Sequence, residues 1–153
     1  MATACIERLR PGEPADCERI LRSLPEWFGI ESSLRQYVED CSRLPTWLAR
    51  MNGAGAGFIT LRRHFPGAAE IHCIAVQPQH HRCGVGRALL GFAEDHFRGA
   101  GVRFLQVKTL GPSRPSEPYE RTRRFYEAEG FTALEEFPTL WPGNPALQMV
   151  KAL

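Results

Sequence analysis

Lysine is nearly missing from this 153-residue chain: lysine and arginine together number 19, and only Lys108 and Lys151 are lysines. That scarcity excludes a G-x-x-x-x-G-K-[ST] nucleotide loop, whose lysine meets the β- and γ-phosphates. Long apolar runs are missing as well. No stretch approaches the roughly 20 residues of a membrane span, and the first residues lack the basic-then-apolar order of a secretory leader. A cytoplasmic protein without a membrane partner is the expectation. The five cysteines (Cys5, Cys17, Cys41, Cys73, Cys83) are odd in number and form no C-x-x-C pair, which fits neither a disulfide framework nor a zinc ribbon. His80-His81-x-Cys83 has no fourth ligand at a recognisable spacing, so no metal is expected. No internal repeat or low-complexity run occurs.

The length suits one domain, residues 1–153, large enough to bury a core without staples. A net charge of +2 is too balanced for a protein that lives on nucleic acid. The charge is uneven, however. Residues 82–124 carry a net +5, and residues 125–153 a net −3. One basic segment in a near-neutral chain suggests a small anionic ligand; scattered surface charge explains it equally well.

Periodicity gives an element order. Ile6–Arg10 reads as a strand ended by Pro11-Gly12. Asp16–Leu24 and Glu31–Leu44 read as amphipathic helices, the second with Ser32 or Ser33 as cap. Thr46–Met51 and Gly57–Arg62 flank Asn52-Gly53, a hairpin dipeptide. His64–Gly67 reads as a turn. Glu70–Val76 is a strand with apolar residues on both faces, hence central: Ile71, Cys73 and Ala75 on one side, Glu70, His72, Ile74 and Val76 on the other. A helix from Gly84 or Val85 to Arg98 and a strand Phe104–Leu110 complete a parallel crossover. A helix Tyr119–Glu129 follows. Strands Phe131–Phe137 and Leu147–Ala152 flank a Pro/Gly-rich stretch, 138–145. The order β-α-α-β-β-β-α-β-α-β-β makes an α/β (α+β) fold: a mixed, mostly antiparallel sheet of about seven strands with four helices.

The most informative segment is VQPQHHRCGVGRALL, residues 76–90. A central strand runs into a glycine turn that opens a helix. Gly84 and Gly86 let backbone approach a ligand, and the first free N–H groups of a helix suit a phosphate. A Rossmann fingerprint would need a third glycine where Leu89 stands. Downstream lies Phe125-Tyr126-Glu127-Ala128-Glu129-Gly130-Phe131.

With these two motifs in this order, the chain resembles the GNAT superfamily of acetyl-CoA-dependent N-acetyltransferases. That family's phosphate motif is R/Q-x-x-G-x-G/A after a strand ending in V-x-P. Here Val76-Gln77-Pro78 precedes His81-Arg82-Cys83-Gly84-Val85-Gly86, with histidine in the Arg/Gln position. The second segment is similar to the family's aromatic–Tyr–x–x–x–Gly–Phe signature. The resemblance implies acetyl-CoA as co-substrate. Backbone amides of Arg82, Cys83, Gly84, Val85, Gly86 and Arg87, with His81, would cradle the pyrophosphate. Ile74, Ala75 and Val76 would bond the pantetheine arm through main chain, because the paired strands splay apart there. Arg82, Arg87, Arg123 and Arg124 become candidates for its phosphates, with at least one of the last two a solvated surface residue.

The resemblance also implies chemistry. Tyr126 corresponds to the family's tyrosine near the sulfur, a general acid, and could also be a core aromatic. Glu70 or His72 would be the base that takes the amine's proton; a solvent-facing glutamate and a core histidine are the other readings. Glu26, Trp27, Phe28 and Trp141 would line the amine site, or the tryptophans would simply cover the sheet ends. The expected function is direct acetyl transfer to a primary amine of a small molecule, a peptide N-terminus or a lysine. The alternative is a non-catalytic acyl-CoA-binding or sensing module. A homodimer, common in the family, stays open.

Overall fold

The computed structural model describes residues 3–10 and 13–153; the expected Pro11-Gly12 strand ending lies outside them. Eleven elements follow the expected order, with one short 3-10 turn added over Pro78–His80. The strands are β1 Cys5–Arg8, β2 Thr46–Met51, β3 Ala54–Phe65, β4 Ala68–Val76, β5 Phe104–Leu110, β6 Thr132–Trp141 and β7 Asn144–Ala152. The helices are α1 Ala15–Arg22, α2 Glu31–Arg43, α3 Val85–Gly99 and α4 Glu117–Ala128.

One sheet holds all seven strands in the order β1-β2-β3-β4-β5-β7-β6, which puts β4 at its centre. Every pairing is antiparallel except β4 with β5. Asn52 and Gly53, both at positive φ (53° and 81°), make the β2–β3 turn. This left-handed pair matches the twist of a hairpin, as Asn-Gly predicts.

Two apolar layers sandwich the sheet. On one face α3 lays Val85, Leu89, Leu90, Ala93 and Phe97 over Ile59, Leu61, Ile71, Leu105, Val107 and Met149. On the other, α1 and α2 lay Cys17, Ile20, Leu21, Leu34 and Cys41 over Leu48, Phe58, Cys73 and Ala75. Cys17 and Cys41 are thus buried thiols, as their place in the helical pattern implied.

Four local expectations are corrected. Neither Ser32 nor Ser33 caps α2; Ile30 holds the cap position in extended backbone, and no side chain bonds the helix start. Strand β3 continues to Phe65, which leaves only Pro66-Gly67 for a turn read as His64–Gly67. Most of 138–145 is strand: Pro138 interrupts the β6–β7 pairing, but the hairpin closes again at Trp141 opposite Asn144. A proline is tolerated there because β6 is an edge strand.

The fourth correction concerns β4. Thr60 pairs with Cys73 and Leu61 with Ile71, so His72 is an extra residue, a β-bulge. The bulge shifts the alternation. Ala69, Ile71, Ile74 and Val76 face α3, whereas Cys73 and Ala75 face α1 and α2. Glu70 and His72 do share a face, but with Cys73 and Ala75 rather than with Ile74 and Val76.

Candidate active site

The parallel pairing of β4 with β5 is short. It runs from Ala68 opposite Phe104 to Ile71 opposite Val107 and then stops, although β5 continues against β7 to Leu110. Residues 72–76 of β4 therefore bond β3 on one side and have no strand on the other. His72 is both the bulged residue and the first beyond the last β4–β5 pair. It stands at the apex of a wedge whose open side carries the main-chain groups of Ile74 and Val76, those of Ala75 being turned toward β3.

The wedge opens toward the N-terminus of α3. Gly84 sits at φ +81°, the left-handed conformation that favours glycine, with nothing within 4 Å of the place a Cβ would take. Arg82, at φ 62°, is left-handed too. The α3 ladder begins only with Ala88 N–H to Gly84 O at 2.9 Å, so the N–H groups of the preceding turn have no helical partner. The amide of Cys83 is different: it donates to His80 O at 3.3 Å and is already used in the loop. Phe125 of α4 lies 3.4 Å from the place a Cβ of Gly86 would take, an ordinary contact distance.

His81 turns inward. One Nε2 contact, 2.7 Å to Val76 O, locks its ring onto the end of β4, and its ring stands edge-on to Trp27 at 5.7 Å. Of the four arginines, Arg123 donates to Leu110 O at 2.8 Å and closes the end of β5. Arg124 pairs with Glu120 on the surface. Arg87 is largely exposed beside Glu129, at 3.1 Å. Arg82 and Arg87 are the two that border the Gly84 turn with side chains in solvent.

Beyond the wedge, Ser116 caps α4, with Pro118 in the first turn. The helix brings Tyr126 into the α3-side core between Phe125 and Phe131. Burial pushes the Tyr126 hydroxyl well above the usual phenol range, and Cys73, Tyr37 and Tyr119 push the same way.

The two candidate bases have different surroundings. Glu70 is buried, with Lys108 at 2.9 Å and His64 Nε2 at 2.7 Å. Burial alone would raise its carboxyl; these two partners outweigh that and hold it below the usual range. Lys108 continues through Gln106 to Gln148, a polar line across four strands. His72 instead meets α2: its Nε2 lies 2.7 Å from Asp40 Oδ2, and its ring lies edge-on to Tyr37.

The expected amine-site residues are only partly assembled. Trp27 Nε1 donates to Thr122 Oγ1 at 3.0 Å, and Tyr119 OH donates to Trp27 O at 2.7 Å, which ties the α1–α2 loop to α4 beside the wedge. Phe28 packs on Tyr37. Glu26 points outward to Arg121, an exposed pair at 3.6 Å. Trp141 sits at the tip of the β6–β7 hairpin. Tyr37, Asp40, Tyr119 and Lys108 were not anticipated. The signal for Asp40 was available: it falls on the apolar stripe of α2 with Tyr37 and Cys41, where a charge needs a partner.

Comparison with known proteins agrees with this arrangement. The acetyltransferase (GNAT) family model matches residues 15–131. An uncharacterized protein of Mycobacterium leprae is 34% identical over 91 residues; the match covers 60% of this chain and 23% of that protein's length. Among solved structures, a GNAT-family protein from Desulfovibrio desulfuricans is similar with a TM-score of 0.84 and 22% identity, covering 98% of this chain and 99% of that one. The ribosomal-protein-S18-alanine N-acetyltransferase of Escherichia coli gives 0.78 at 21% identity, covering 98% and 94%. A GNAT-family acetyltransferase from Elizabethkingia anophelis with acetyl-CoA bound gives 0.76 at 16%, covering 98% of each. At such identities these structures speak for the fold.

Proposed function

The chain belongs to the acetyltransferase (GNAT) family, and from that premise we propose that it moves the acetyl group of acetyl-CoA directly to a primary amine. The observation that carries this reading is the wedge. A strand edge with no partner strand, its Val76 carbonyl met by His81, runs from a bulged histidine to a left-handed glycine turn at a helix start, and the phenol of Tyr126 is buried in the α3-side core. An extended amide-bearing arm with a pyrophosphate at one end fits that sequence of groups. The arm would add to the free edge of β4 like a strand, and the pyrophosphate would take the N–H groups of the α3 start with Arg82 and Arg87 beside it.

In this reading His72 takes the proton that the ammonium must lose before it attacks, and Glu70 does not. Glu70 is already committed to Lys108 and His64, which stabilise its charged form and weaken it as a base. Tyr126 acts on the leaving sulfur. A phenol raised above its usual pKa does not surrender its proton to a thiolate near 8.5; it donates a hydrogen bond to it. Loss of the thiolate and formation of the amide then need no covalent enzyme intermediate. The amine would enter along the aromatic side formed by Trp27, Phe28, Tyr37 and Tyr119.

Calorimetric titration with acetyl-CoA, ATP and NAD tests the binding half, and preference for ATP or NAD would sink it. Thiol release is then followed over a panel of amines: amino acids, polyamines, aminoglycosides and peptides with free N-termini. Tight acetyl-CoA binding without turnover on the panel would favour a sensing module instead.

A further inference from the structure

The carboxylate of Asp40 is held at both oxygens, and the two are held differently. Gln36 Nε2 and Arg43 Nη2 both donate to Oδ1, each at 3.0 Å. Oδ2 faces His72 Nε2 at 2.7 Å. Burial would raise this carboxyl, but the bonds from His72, Gln36 and Arg43 outweigh it and hold it below its usual range, so it is ionised near neutral pH. An ionised carboxylate can only accept, and Nε2 must therefore carry the hydrogen. The lone pair of the neutral ring is then on Nδ1, which takes no hydrogen bond among the described residues.

From this geometry we infer that Asp40 is the positioning residue of the reaction, which fixes His72 in the Nε2–H form and leaves Nδ1 as the atom that accepts the amine's proton. The inference rests on the acetyl-transfer reading above and adds to it the second member of the base. The bulge sits at this pair. His72 keeps the α2 face that alternation from Ile71 gives it, and the extra residue brings Cys73 and Ala75 onto that same face at the wedge apex. When Nδ1 gains a proton the ring becomes a cation, and the carboxylate 2.7 Å from Nε2 stabilises it. Arg43 is largely exposed and Tyr37 touches the ring only through its edge, so Asp40 is the charge that faces His72 most directly.

The pattern of donors also fixes what Asp40→Asn must do. Oδ1 already receives two donors, so the amide oxygen of the asparagine stays there. Its NH2 group takes the place of Oδ2 and donates to His72 Nε2. The ring proton is then forced onto Nδ1, and the proposed base loses its lone pair. A near-isosteric change thus reverses the tautomer without removing the hydrogen bond.

The test is long-range proton–nitrogen NMR on the full chain with labelled histidine. In the wild type, Nε2 of His72 should be pyrrole-like and Nδ1 pyridine-like; in Asp40→Asn the two should exchange. The turnover number on the best amine of the panel should fall about 100-fold or more, with acetyl-CoA affinity unchanged by calorimetry. Asp40→Ala is the companion, since it is smaller and cannot overpack; its His72 should show a mixture of tautomers and an intermediate rate. No exchange in a folded Asp40→Asn, or an exchange that leaves turnover unchanged, would overturn the inference. The NMR reading needs no turnover, so a wild type inactive on every amine would overturn the acetyl-transfer reading separately.

Discussion

At the scale of single residues, Tyr126 and Glu70 are the positions whose surroundings make the clearest demands. Tyr126 is buried, and burial raises its hydroxyl so that it keeps its proton over the working pH range. Tyr126→Phe keeps the ring packing with Phe125 and Phe131 and removes only the donor. Turnover should fall about 10- to 100-fold, as for loss of one positioned donor, with acetyl-CoA affinity nearly unchanged. Steady-state kinetics beside calorimetry separates the two, and equal activity would leave Tyr126 as a core aromatic alone. Glu70 and His72 looked equivalent in the sequence, as two polar residues at alternate positions of one strand. What distinguishes them comes from elsewhere in the chain: a lysine on β5 and an aspartate on α2. Side-chain partners 32 and 38 positions away leave no mark on the periodicity of β4 itself.

At the scale of elements, the sequence carried more. β2 and β5 have the bounds that alternation and flanking turns predict, and α3 starts at the residue after Gly84. The element order and the approximate number of strands were legible because each element has its own apolar period and its own breaker. The bulge was not. An inserted residue changes which side chains share a face without changing composition, and only pairing with β3 reveals it. The β6 edge was hidden for a related reason: Pro138 reads as a breaker, yet an edge strand passes through it. The left-handed turn before α3 supports a direct prediction. Gly84→Ala should cost roughly 1 kcal/mol of stability from the αL backbone, with no clash, because a Cβ there meets open space. Acetyl-CoA affinity should fall about tenfold or more if, as proposed, the pyrophosphate sits against this turn. A urea titration and a calorimetric titration of the same variant give both numbers. An affinity equal to the wild type would remove the turn from the binding site.

At the scale of the whole molecule, acid and ligand act through groups already described. Asp40 and Glu70 both have folded pKa values depressed below their ordinary 3.8 and 4.5. Depressed carboxyls contribute stability that is present above the unfolded value and is lost as pH falls through the folded one. The urea midpoint should therefore hold steady from pH 7 to about pH 5 and decline below about pH 4.5. Glu70→Gln should shallow that decline, and an identical decline in the variant would show that the carboxyl is not a source of it. Ligand should act in the other direction. Acetyl-CoA at 100 times its dissociation constant adds about 2.7 kcal/mol, or roughly 5–10 °C in Tm for a chain of this size. ATP and NAD at equal concentration should shift it far less, and thermal melts compare the three directly.

The rarity of lysine has one more consequence. Acetyl thioesters acylate any accessible neutral amine, and a protein that concentrates one at its surface is exposed to its own reagent. This chain offers two side-chain amines, and both are occupied: Lys108 is held at Glu70, and Lys151 between Glu94 and the carbonyl of Glu129. The remaining cations are guanidiniums, which stay protonated and do not attack. The basic segment that would draw in a polyanionic donor is thus built, Lys108 apart, from side chains that the donor cannot label. A catalyst of this composition should remain chemically unaltered through many turnovers, and its intact mass after prolonged incubation with acetyl-CoA would record that inertness.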